Sequence, residues 1–391
     1  MKEKALFIAS NLFPVNSGAT IYTYGNILRL ADYFDIDLVS FVQIENPECD
    51  PFHEILIGKV NNFFPVNFKR KFLLQLFSGV KNGVFFQKYS KEFKDAIFSL
   101  INENQYKYIF FDGILTFHLI DDIKSKTEQS KVILIEHNIE FENLEEELHF
   151  SKKISDKLKN FILKTGIRKF EINSIQKSDS SLFISEEDLN KMRYILNTRD
   201  KNKLQVLPPF FPFEQIINSE NLRKVKYRLL ILGNMWWYPN IQGTKWFIEE
   251  VFPILIKKDP RYRLFVVGKG PSEEMKSMER DNIIFTGSVP TVNKYLKKSD
   301  FLVVPTFTGG GVKIKILEGI MKGIPVIART ENIVGYQKIF QENYYATDPE
   351  EFADLIIKNN NNPESKIEFI TKGREKLLES ADISNIIRSI R

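Results

Sequence analysis

Short apolar runs alternate with stretches of helical spacing along the first half of the chain. The apolar runs predict β-strands at Ala5–Ala9, Asp37–Val42, Tyr108–Phe111, Val132–Ile135, Ser181–Ile184 and Lys203–Leu207. A helix is predicted between the first two strands, with one apolar face made by Ile21, Tyr24, Leu28 and Ala31. Strands that alternate with helices form a parallel sheet covered on both faces. We therefore predict a Rossmann-like, doubly wound α/β domain over residues 1–207.

The pattern is interrupted at Pro208, Pro209 and Pro212. Proline continues neither a helix interior nor a sheet ladder, so we predict a linker over residues 208–226. A second set of strands is predicted at Arg228–Leu232, Leu264–Val267, Ile283–Phe285, Phe301–Val304 and Pro325–Ala328. The first helix of this half is predicted to bury Phe247, Val251, Ile254 and Leu255. A second Rossmann-like domain is expected over 227–372, with a terminal helix over 373–391 that returns to the first domain.

The composition says more about the cellular compartment of the protein than about its chemistry. The 391 residues suit two α/β domains, and the net charge of +5 suits an anionic ligand or membrane surface without indicating nucleic acid. The single cysteine, Cys49, cannot form an internal disulfide, which fits a reducing compartment. The apolar run Ala5–Ala9 is too short for a signal peptide or a membrane span. These features predict a cytoplasmic protein.

The strongest chemical signal is a glycine run between a buried strand and a helix. The run consists of Gly309, Gly310 and Gly311. The strand that begins at Phe301 ends at Pro305, and the helix is predicted to begin near Val312. Glycine lets backbone amides approach a ligand closely, and amides at a helix start attract anions. Lys313 and Lys315 add two cations that oppose the helix dipole, so an anion such as a diphosphate is expected there.

Glu318 lies three residues after Lys315, on nearly the same face of that helix. An ionised carboxylate only accepts hydrogen bonds, so Glu318 suits the hydroxyl groups of a sugar. The alternative for this whole stretch is a glycine loop with solvated lysines and a surface glutamate.

Two further candidates follow strands of the first domain. Gly18 lies in PVNSGAT, which lacks the three-glycine spacing of a dinucleotide fingerprint, and an ordinary turn is the alternative. His137 follows the strand Val132–Ile135. Ligands of open α/β sheets bind beyond the carboxyl ends of strands, where a histidine can hold a sugar hydroxyl or act as acid or base. The alternative for His137 is a capping or packing role.

Metal motifs are not indicated. Asp35 and Asp37 have the spacing of an Asp-x-Asp metal motif, but they lie at the start of a strand, which is the wrong end for a site. We expect both to be solvated carboxylates. The His and Cys residues do not show zinc spacing.

Several short motifs occur in a specific order along most of the chain. Those of the first domain are Glu136-His137-Asn138, Ser178-Asp179 and Ile184-Ser185-Glu186-Glu187-Asp188. Those of the second domain are Gly233-Asn234-Met235, Tyr238-Pro239-Asn240, Phe265–Pro271, Phe285–Val289, the glycine run with Lys313, Lys315, Ile316, Leu317 and Glu318, and Gly323–Val326. In this order they resemble the retaining, nucleotide-sugar-dependent glycosyltransferases of the GT-B fold, a group that includes sucrose synthase and bacterial mannosyl- and glucosyltransferases.

The resemblance implies two Rossmann-like domains with a deep cleft between them. It also implies retaining transfer from a UDP or GDP sugar, without a metal ion or other cofactor, to a bacterial surface glycan, a lipid-linked glycan or a protein. The implied substrate-binding residues are Gly18, Asn234, Gly268, Gly287, Ser288, Val289, Gly309, Gly310, Gly311, Val312, Lys313, Lys315 and Glu318. Within this set, Glu318 would hold the ribose and the glycine run with both lysines the diphosphate. Gly268 and residues 287–289 would border the base, Gly18 would face the diphosphate, and His137 would contact the transferred sugar as a catalytic residue.

Two departures from the family pattern leave other functions open. Gly310 stands where the family often has the first of two paired glutamates, and only Lys245 offers itself for the basic pair usual early in the second domain. One alternative is a catalytically inactive GT-B subunit that stabilises a partner transferase. The other is a GT-B nucleotide-sugar epimerase, which needs a pair of acid/base carboxylates.

A basic and aromatic stretch lies over Val60–Tyr89 and contains no acidic residue. Its cations are Lys69, Arg70, Lys71, Lys81 and Lys88. Such a composition suits an interfacial segment on anionic lipid, which would place the protein at the inner face of the membrane. The alternative is a helical insertion whose aromatic side chains face the core.

Overall fold

The computed structural model describes residues 2–67, 90–142, 154–197, 203–307 and 311–391, with the side chains of 154–165 excepted. The chain divides into two compact units, which comprise residues 1–210 with 381–391 and residues 211–380. The last helix, Ser384–Ile390, therefore belongs to the first unit. The segment predicted as a linker includes a short helix at Ser219–Arg223.

The first unit contains a parallel sheet of seven strands. The strands are β1 (Glu3–Phe13), β2 (Phe34–Val42), β3 (Asn62–Asn67), β4 (Tyr108–Asp112), β5 (Lys131–Glu136), β6 (Ser180–Phe183) and β7 (Leu204–Val206). Their order in the sheet is β3-β2-β1-β4-β5-β6-β7, so the direction of winding reverses between β1 and β4. Ligands of such sheets bind at this switch point, beyond the carboxyl ends of the strands.

Strand β3 is the one strand of this sheet that the apolar pattern did not predict. It lies at the edge of the sheet, and its side chains are exposed or half-buried, with Phe64 36% exposed. Pro65 at its centre is tolerated because an edge strand leaves one side of its ladder unpaired. Strand β3 therefore lacks the run of buried residues by which the other strands were predicted.

The helices of the first unit are α1 (Gly18–Ala31), α2 (His53–Ile57), α3 (Lys91–Glu103), α4 (Ile120–Lys124), α5 (Ile154–Lys177) and α6 (Glu186–Leu196), with the terminal helix above. Short 3-10 turns occur at Pro47–Cys49 and Ile114–Leu119. Helix α1 begins three residues before its predicted start at Ile21, because Ser17 and Thr20 form a capping box. Strand β1 extends to Phe13, four residues beyond its predicted end at Ala9.

Helix α1 is buried around its whole circumference from Thr20 to Ala31, whereas its spacing predicted one apolar face. Two of its polar side chains form hydrogen bonds with the backbone near the end of the unit. The Tyr22 hydroxyl donates to the Leu207 carbonyl at 2.7 Å, and the Arg29 guanidinium donates to the Pro208 carbonyl at 2.8 Å. A buried polar group is tolerated when it is hydrogen-bonded, so these two bonds offset part of the cost of burying the polar face of α1.

The second unit contains a parallel sheet of five strands. The strands are β8 (Arg228–Leu232), β9 (Arg263–Val267), β10 (Ile283–Gly287), β11 (Phe301–Val304) and β12 (Val326–Ala328), in the order β10-β9-β8-β11-β12. The switch point lies between β8 and β11. The five predicted strands of this half match these within two residues. Strands β8, β11 and β12 are almost fully buried, and such strands read as continuous apolar runs.

The helices of the second unit, after Ser219–Arg223, are Tyr238–Trp246, Phe252–Lys258, Glu273–Lys276, Asn293–Lys298, Ile314–Lys322, Pro349–Asn360 and Pro363–Glu379. Short 3-10 turns occur at Thr330–Asn332 and Glu342–Tyr344. A π-helical turn, Phe247–Val251, interrupts the first long helix. The turn shifts the helical phase, so Phe252 is buried and the predicted Ile254 is only half-buried.

Candidate functional site

In the second unit, three glycines join the loops that follow β8, β9 and β10. The Gly233 amide donates to the Val267 carbonyl, and the Gly268 amide donates to the Gly287 carbonyl, both at 3.1 Å. A Cβ atom on Gly268 would lie 1.7 Å from the Gly233 carbonyl oxygen. Only glycine permits this approach, so the predicted residues Gly268 and Gly287 hold the carboxyl edge of the sheet together.

The other residues predicted to border the nucleotide lie on the same edge. Asn234 and Ser288 are exposed, and Val289 is half-buried. All three follow the carboxyl ends of strands, which is the position that ligands of this fold use. The structure therefore makes these three residues accessible to a ligand.

The glycine run leads into a helix that begins at Ile314, two residues later than predicted. Lys313 is its N-cap residue with an extended backbone, and Gly311 has a φ of 75°, a conformation that favours glycine. The predicted residues Gly309 and Gly310 lie outside the described residues. Val312 is buried, with its side chain packed against Gly335.

Lys315 connects this helix to the end of β8. Its Nζ donates to the Leu232 carbonyl and to Oδ1 of Asn240, each at 2.9 Å. Asn240 in turn donates to the Asn234 carbonyl at 3.0 Å. Burial, and next the positive charge of Lys313, lower the pKa of Lys315 to about 7. An ammonium group held by neutral oxygens gains the most from a bound anion.

Lys313 and Glu318 are both largely withdrawn from solvent. The Lys313 Nζ donates to the Gly311 carbonyl at 3.0 Å, and its side chain is buried. The Glu318 carboxylate is 17% exposed and forms an ion pair with Lys322 at 2.7 Å. The alternative of solvated lysines and a surface glutamate is therefore wrong for Lys313, Lys315 and Glu318.

The predicted residues of the first unit are His137 and Gly18. Gly18 is exposed as the first residue of α1. His137 follows β5, and its Nε2 lies 3.0 Å from Oδ1 of Asp112, the last residue of β4. Asp112 is 0% exposed, and its Oδ2 accepts a 2.5 Å hydrogen bond from the Thr23 hydroxyl of α1. These residues meet at the switch point, where Ala9 of β1 pairs with Asp112.

The ring of His137 is fixed on one side by an aromatic contact. The Tyr22 ring meets it edge to face, with centroids 5.1 Å apart and an angle of 86°. Burial lowers the pKa of His137, but the negative charge of Asp112 outweighs burial and raises the pKa above its usual value. The structure thus favours the imidazolium form beside a buried carboxylate.

Two buried glutamates surround the His137 loop. Burial raises the pKa of Glu136 well above its ordinary value, and it raises the pKa of Glu171 to about 8. The Glu171 carboxyl accepts hydrogen bonds from the amides of Glu140 and Phe141, at 2.9 and 3.2 Å. Glu171 therefore holds the backbone of the loop that carries His137.

Asp35 and Asp37 were expected to be solvated carboxylates, but Asp37 is buried. Asp37 is 2% exposed and accepts hydrogen bonds from the Tyr106 hydroxyl at 2.6 Å and from Asn61 and Asn62. That expectation was wrong for Asp37, because the neighbouring edge strand covers it. Among the described residues, no cluster of His, Cys, Asp or Glu has an arrangement suited to a metal ion.

Sequence reasoning missed four residues of these sites. Asp112 contacts the predicted His137, and Thr23 contacts Asp112. Both contacts join residues that are far apart in sequence. Asn240 lies in a motif that the sequence identified without giving it a role. Trp236 is 66% exposed and lies beside Gly270, where an added Cβ atom would be 3.3 Å from the Trp236 ring.

Lys245, the proposed substitute for a basic clamp residue, forms an ion pair with Glu274.

The membrane hypothesis rests mostly on residues outside the described part. Residues 68–89, with all five cations of the basic stretch, are not among those described. In the ranges that the structure covers, no helix combines the length and the apolar character needed to cross a bilayer.

Residues 226–362 match the family model described as "Glycosyl transferases group 1". Over 232 residues the chain is 25% identical to an "uncharacterized 44.6 kDa protein in cps region" of Klebsiella pneumoniae. That match spans 57% of this chain and 57% of the relative. The match to the family model lies within the second unit.

Solved structures resemble the chain over nearly its whole length. HepE of Anabaena in complex with UDP gives a TM-score of 0.65 at 12% identity, over 99% of this chain and 98% of that one. A mutant of TarM from S. aureus in complex with UDP, alpha-GlcNAc-glycerol and Fondaparinux gives 0.64 at 14% identity, with the same coverage. OtsA gives 0.63 at 10% identity, over 99% and 98%. These similarities confirm the GT-B fold.

Proposed function

We propose that this chain, a glycosyltransferase with the GT-B fold, moves a sugar from a nucleoside diphosphate sugar to a glycan, lipid-linked or protein acceptor. The transfer proceeds with retention at the anomeric carbon and without a metal ion or cofactor. UDP and GDP sugars are the proposed donors.

The observation that carries this proposal is the environment of Lys315. Its ammonium group lies in the first turn of a helix, with two neutral oxygens as partners and a second lysine nearby. Two cations at a helix N-terminus oppose the helix dipole and are stabilised when an anion binds. When the glycosyl bond breaks, negative charge develops on the departing diphosphate, and the two lysines supply the compensating charge.

The complexes of similar proteins support the choice of donor. HepE of Anabaena has been crystallised with UDP and glucose and with UDP-glucose. The relative in a cps region supports a role in polysaccharide biosynthesis.

The test is release of nucleoside diphosphate from a panel of UDP and GDP sugars, with and without excess EDTA. We expect turnover of at least one donor, unchanged by EDTA, and loss of turnover in Lys315→Ala. The anomeric configuration of the product, read by NMR, reports retention. Turnover restored only by Mg²⁺ or Mn²⁺ would contradict the metal-free mechanism, and nucleotide binding without turnover would favour the inactive-subunit alternative.

We also propose that residues 60–89 dock the enzyme on anionic lipid. Five cations would contribute about 1 kcal/mol each at such a surface, which is enough for reversible docking. The protein should co-sediment with anionic vesicles at low salt and lose binding when Lys69, Arg70 and Lys71 are replaced by Glu. Absence of binding by the wild type would assign the segment to the protein core.

A further inference from the structure

The buried carboxylate of Asp112 forms an ion pair with the imidazole ring of His137. It ends β4, it is 0% exposed, and its Oδ1 lies 3.0 Å from Nε2 of His137. Neither of these two atoms has a hydrogen-bond partner elsewhere among the described residues. A buried carboxylate is costly unless it is paired and hydrogen-bonded, so the pairing with His137 stabilises both groups.

The second oxygen of Asp112 is fixed independently. The Thr23 hydroxyl donates to Oδ2 at 2.5 Å from the second turn of α1, 89 residues away in sequence. Three elements thus converge on this carboxylate: the end of β4, helix α1 and the loop after β5. With both oxygens engaged, the carboxylate has a defined orientation toward the ring.

The ring of His137 is then limited to one orientation. Asp112 engages Nε2, and Tyr22 of α1 packs edge to face against the ring at 5.1 Å. The side chain remains 13% exposed. Because Nε2 is engaged, Nδ1 is the nitrogen left to meet a ligand.

We propose that Asp112, supported by Thr23, is a positioning residue that holds His137 so that its Nδ1–H donates to an oxygen of the sugar substrate. This proposal rests on the proposed function for the identity of the ligand. The pairing of Asp112 with His137 is a property of the free protein, and it can be measured without any substrate.

The charged groups around the ring agree with this role. Asp112 from β4 and Glu140 from the ring's own loop both favour the protonated imidazole, and burial opposes them. Burial raises the pKa of Glu136, the residue before His137, well above its ordinary value.

The first experiment is an NMR titration of the imidazole protons. The chain has four histidines, so His137 is assigned by its disappearance in His137→Gln. In Asp112→Asn, which keeps the size of the side chain and removes the charge, the pKa of His137 should fall by about one unit or more. The control is Asp121→Asn, an exposed aspartate paired with Lys177, which changes the net charge equally and should leave the titration unchanged. An unchanged pKa in Asp112→Asn would overturn the proposal.

The second experiment is a double-mutant cycle on turnover. Asp112→Asn should lower kcat tenfold or more with little change in KM, but should have no further effect in a His137→Gln background. An equal loss in both backgrounds would show that Asp112 acts through the fold and not through His137. If Asp112→Asn does not fold, Thr23→Val carries the same cycle, with a severalfold loss expected only when His137 is present.

The two experiments separate the two proposals. Suppose that the pKa of His137 falls in Asp112→Asn as expected, but that His137→Gln leaves turnover unchanged. The Asp112–His137 pairing would then stand, and its use in sugar transfer would be rejected. If His137→Gln loses turnover but Asp112→Asn leaves the pKa of His137 unchanged, His137 would remain a catalytic residue and the positioning role of Asp112 would be rejected.

Discussion

The ammonium group of Lys315 donates hydrogen bonds of 2.9 Å to Oδ1 of Asn240 and to the carbonyl of Leu232. Both partners are uncharged. Among the residues that the structure describes, no carboxylate forms an ion pair with this cation, and burial lowers the pKa of Lys315 to about 7.

Lys315→Ala should raise the Kd for the nucleoside diphosphate tenfold or more, because a hydrogen bond to a charged group contributes about 1.5–3 kcal/mol. Isothermal calorimetry measures this directly. Lys372→Ala is the matched control. Lys372 is exposed, lies on the helix Pro363–Glu379 of the same unit and pairs with Glu368 of that helix. Equal affinities for the wild type and Lys315→Ala would remove Lys315 from the diphosphate site.

Binding of the nucleoside diphosphate should weaken as the pH rises above about 7. Free Lys315 loses its proton there, and a bound diphosphate raises the pKa again, so binding takes up a proton. The loss approaches tenfold per pH unit at most, which corresponds to about 1.36 kcal/mol.

The measurement compares calorimetry at pH 8 and pH 9, where a phosphate group with a second pKa near 6 is fully ionised. Buffers of different ionisation enthalpy reveal the proton uptake. Lys315→Ala should show neither the uptake nor the pH dependence. A proton uptake that persists in Lys315→Ala would assign it to another group.

Glu318→Ala should weaken nucleotide binding about tenfold if the carboxylate accepts hydrogen bonds from the ribose hydroxyls. The ion pair with Lys322 complicates the reading, because Glu318→Ala also leaves that lysine without its partner. A dideoxyribose nucleotide resolves the two effects. The wild type should bind it less tightly than the ribose form, and Glu318→Ala should bind both equally.

Lys322→Ala serves as the control for the ion pair. It should reduce stability without changing the preference for ribose. If Glu318→Ala retains the full preference, the carboxylate has only the structural role of pairing with Lys322.

His137→Gln should reduce kcat by about 10² or more, in the range typical of general acid–base groups, while the melting temperature changes little. Glutamine retains a hydrogen-bond donor for the buried Asp112. His137→Ala should in contrast cost about 3–5 kcal/mol of unfolding free energy, since it leaves Asp112 buried with neither a cation nor a hydrogen-bond donor in place of the ring. Turnover and thermal unfolding of the two variants test this directly.

The structure changes what the sequence alone leads one to expect of His137→Ala. A histidine at a strand end that serves only a ligand should be replaceable without loss of stability. The 3.0 Å contact with Asp112 makes the ring part of the folded core as well. Equal stability of His137→Ala and the wild type would show that the contact contributes little.

Much of the fold was predictable because its strands are buried on both faces. A run such as Arg228–Leu232 carries its own signal, and the structure places a strand at the same residues. The exposed edge strand Asn62–Asn67 carries no such signal, and it was missed. The π-turn at Phe247–Val251 also escaped prediction, because helical spacing assumes an unbroken period.

The candidate site divides in the same way. The sequence by itself determined which residues stand at the ends of strands and at helix starts, and so it indicated His137, Lys313, Lys315 and Glu318. Local spacing is enough for this, because the carboxyl ends of parallel strands share one edge of the sheet.

Only the tertiary structure decided which partners these residues have. Thr23 and Asp112 are 89 residues apart, and Lys315 and the Leu232 carbonyl are 83 apart. No local pattern encodes such contacts, because the order of strands in the sheet and the packing of helices on it bring them together. Burial and charge at these contacts then set the pKa of Lys315 and of His137, which is the physical reason that their chemistry depends on the fold.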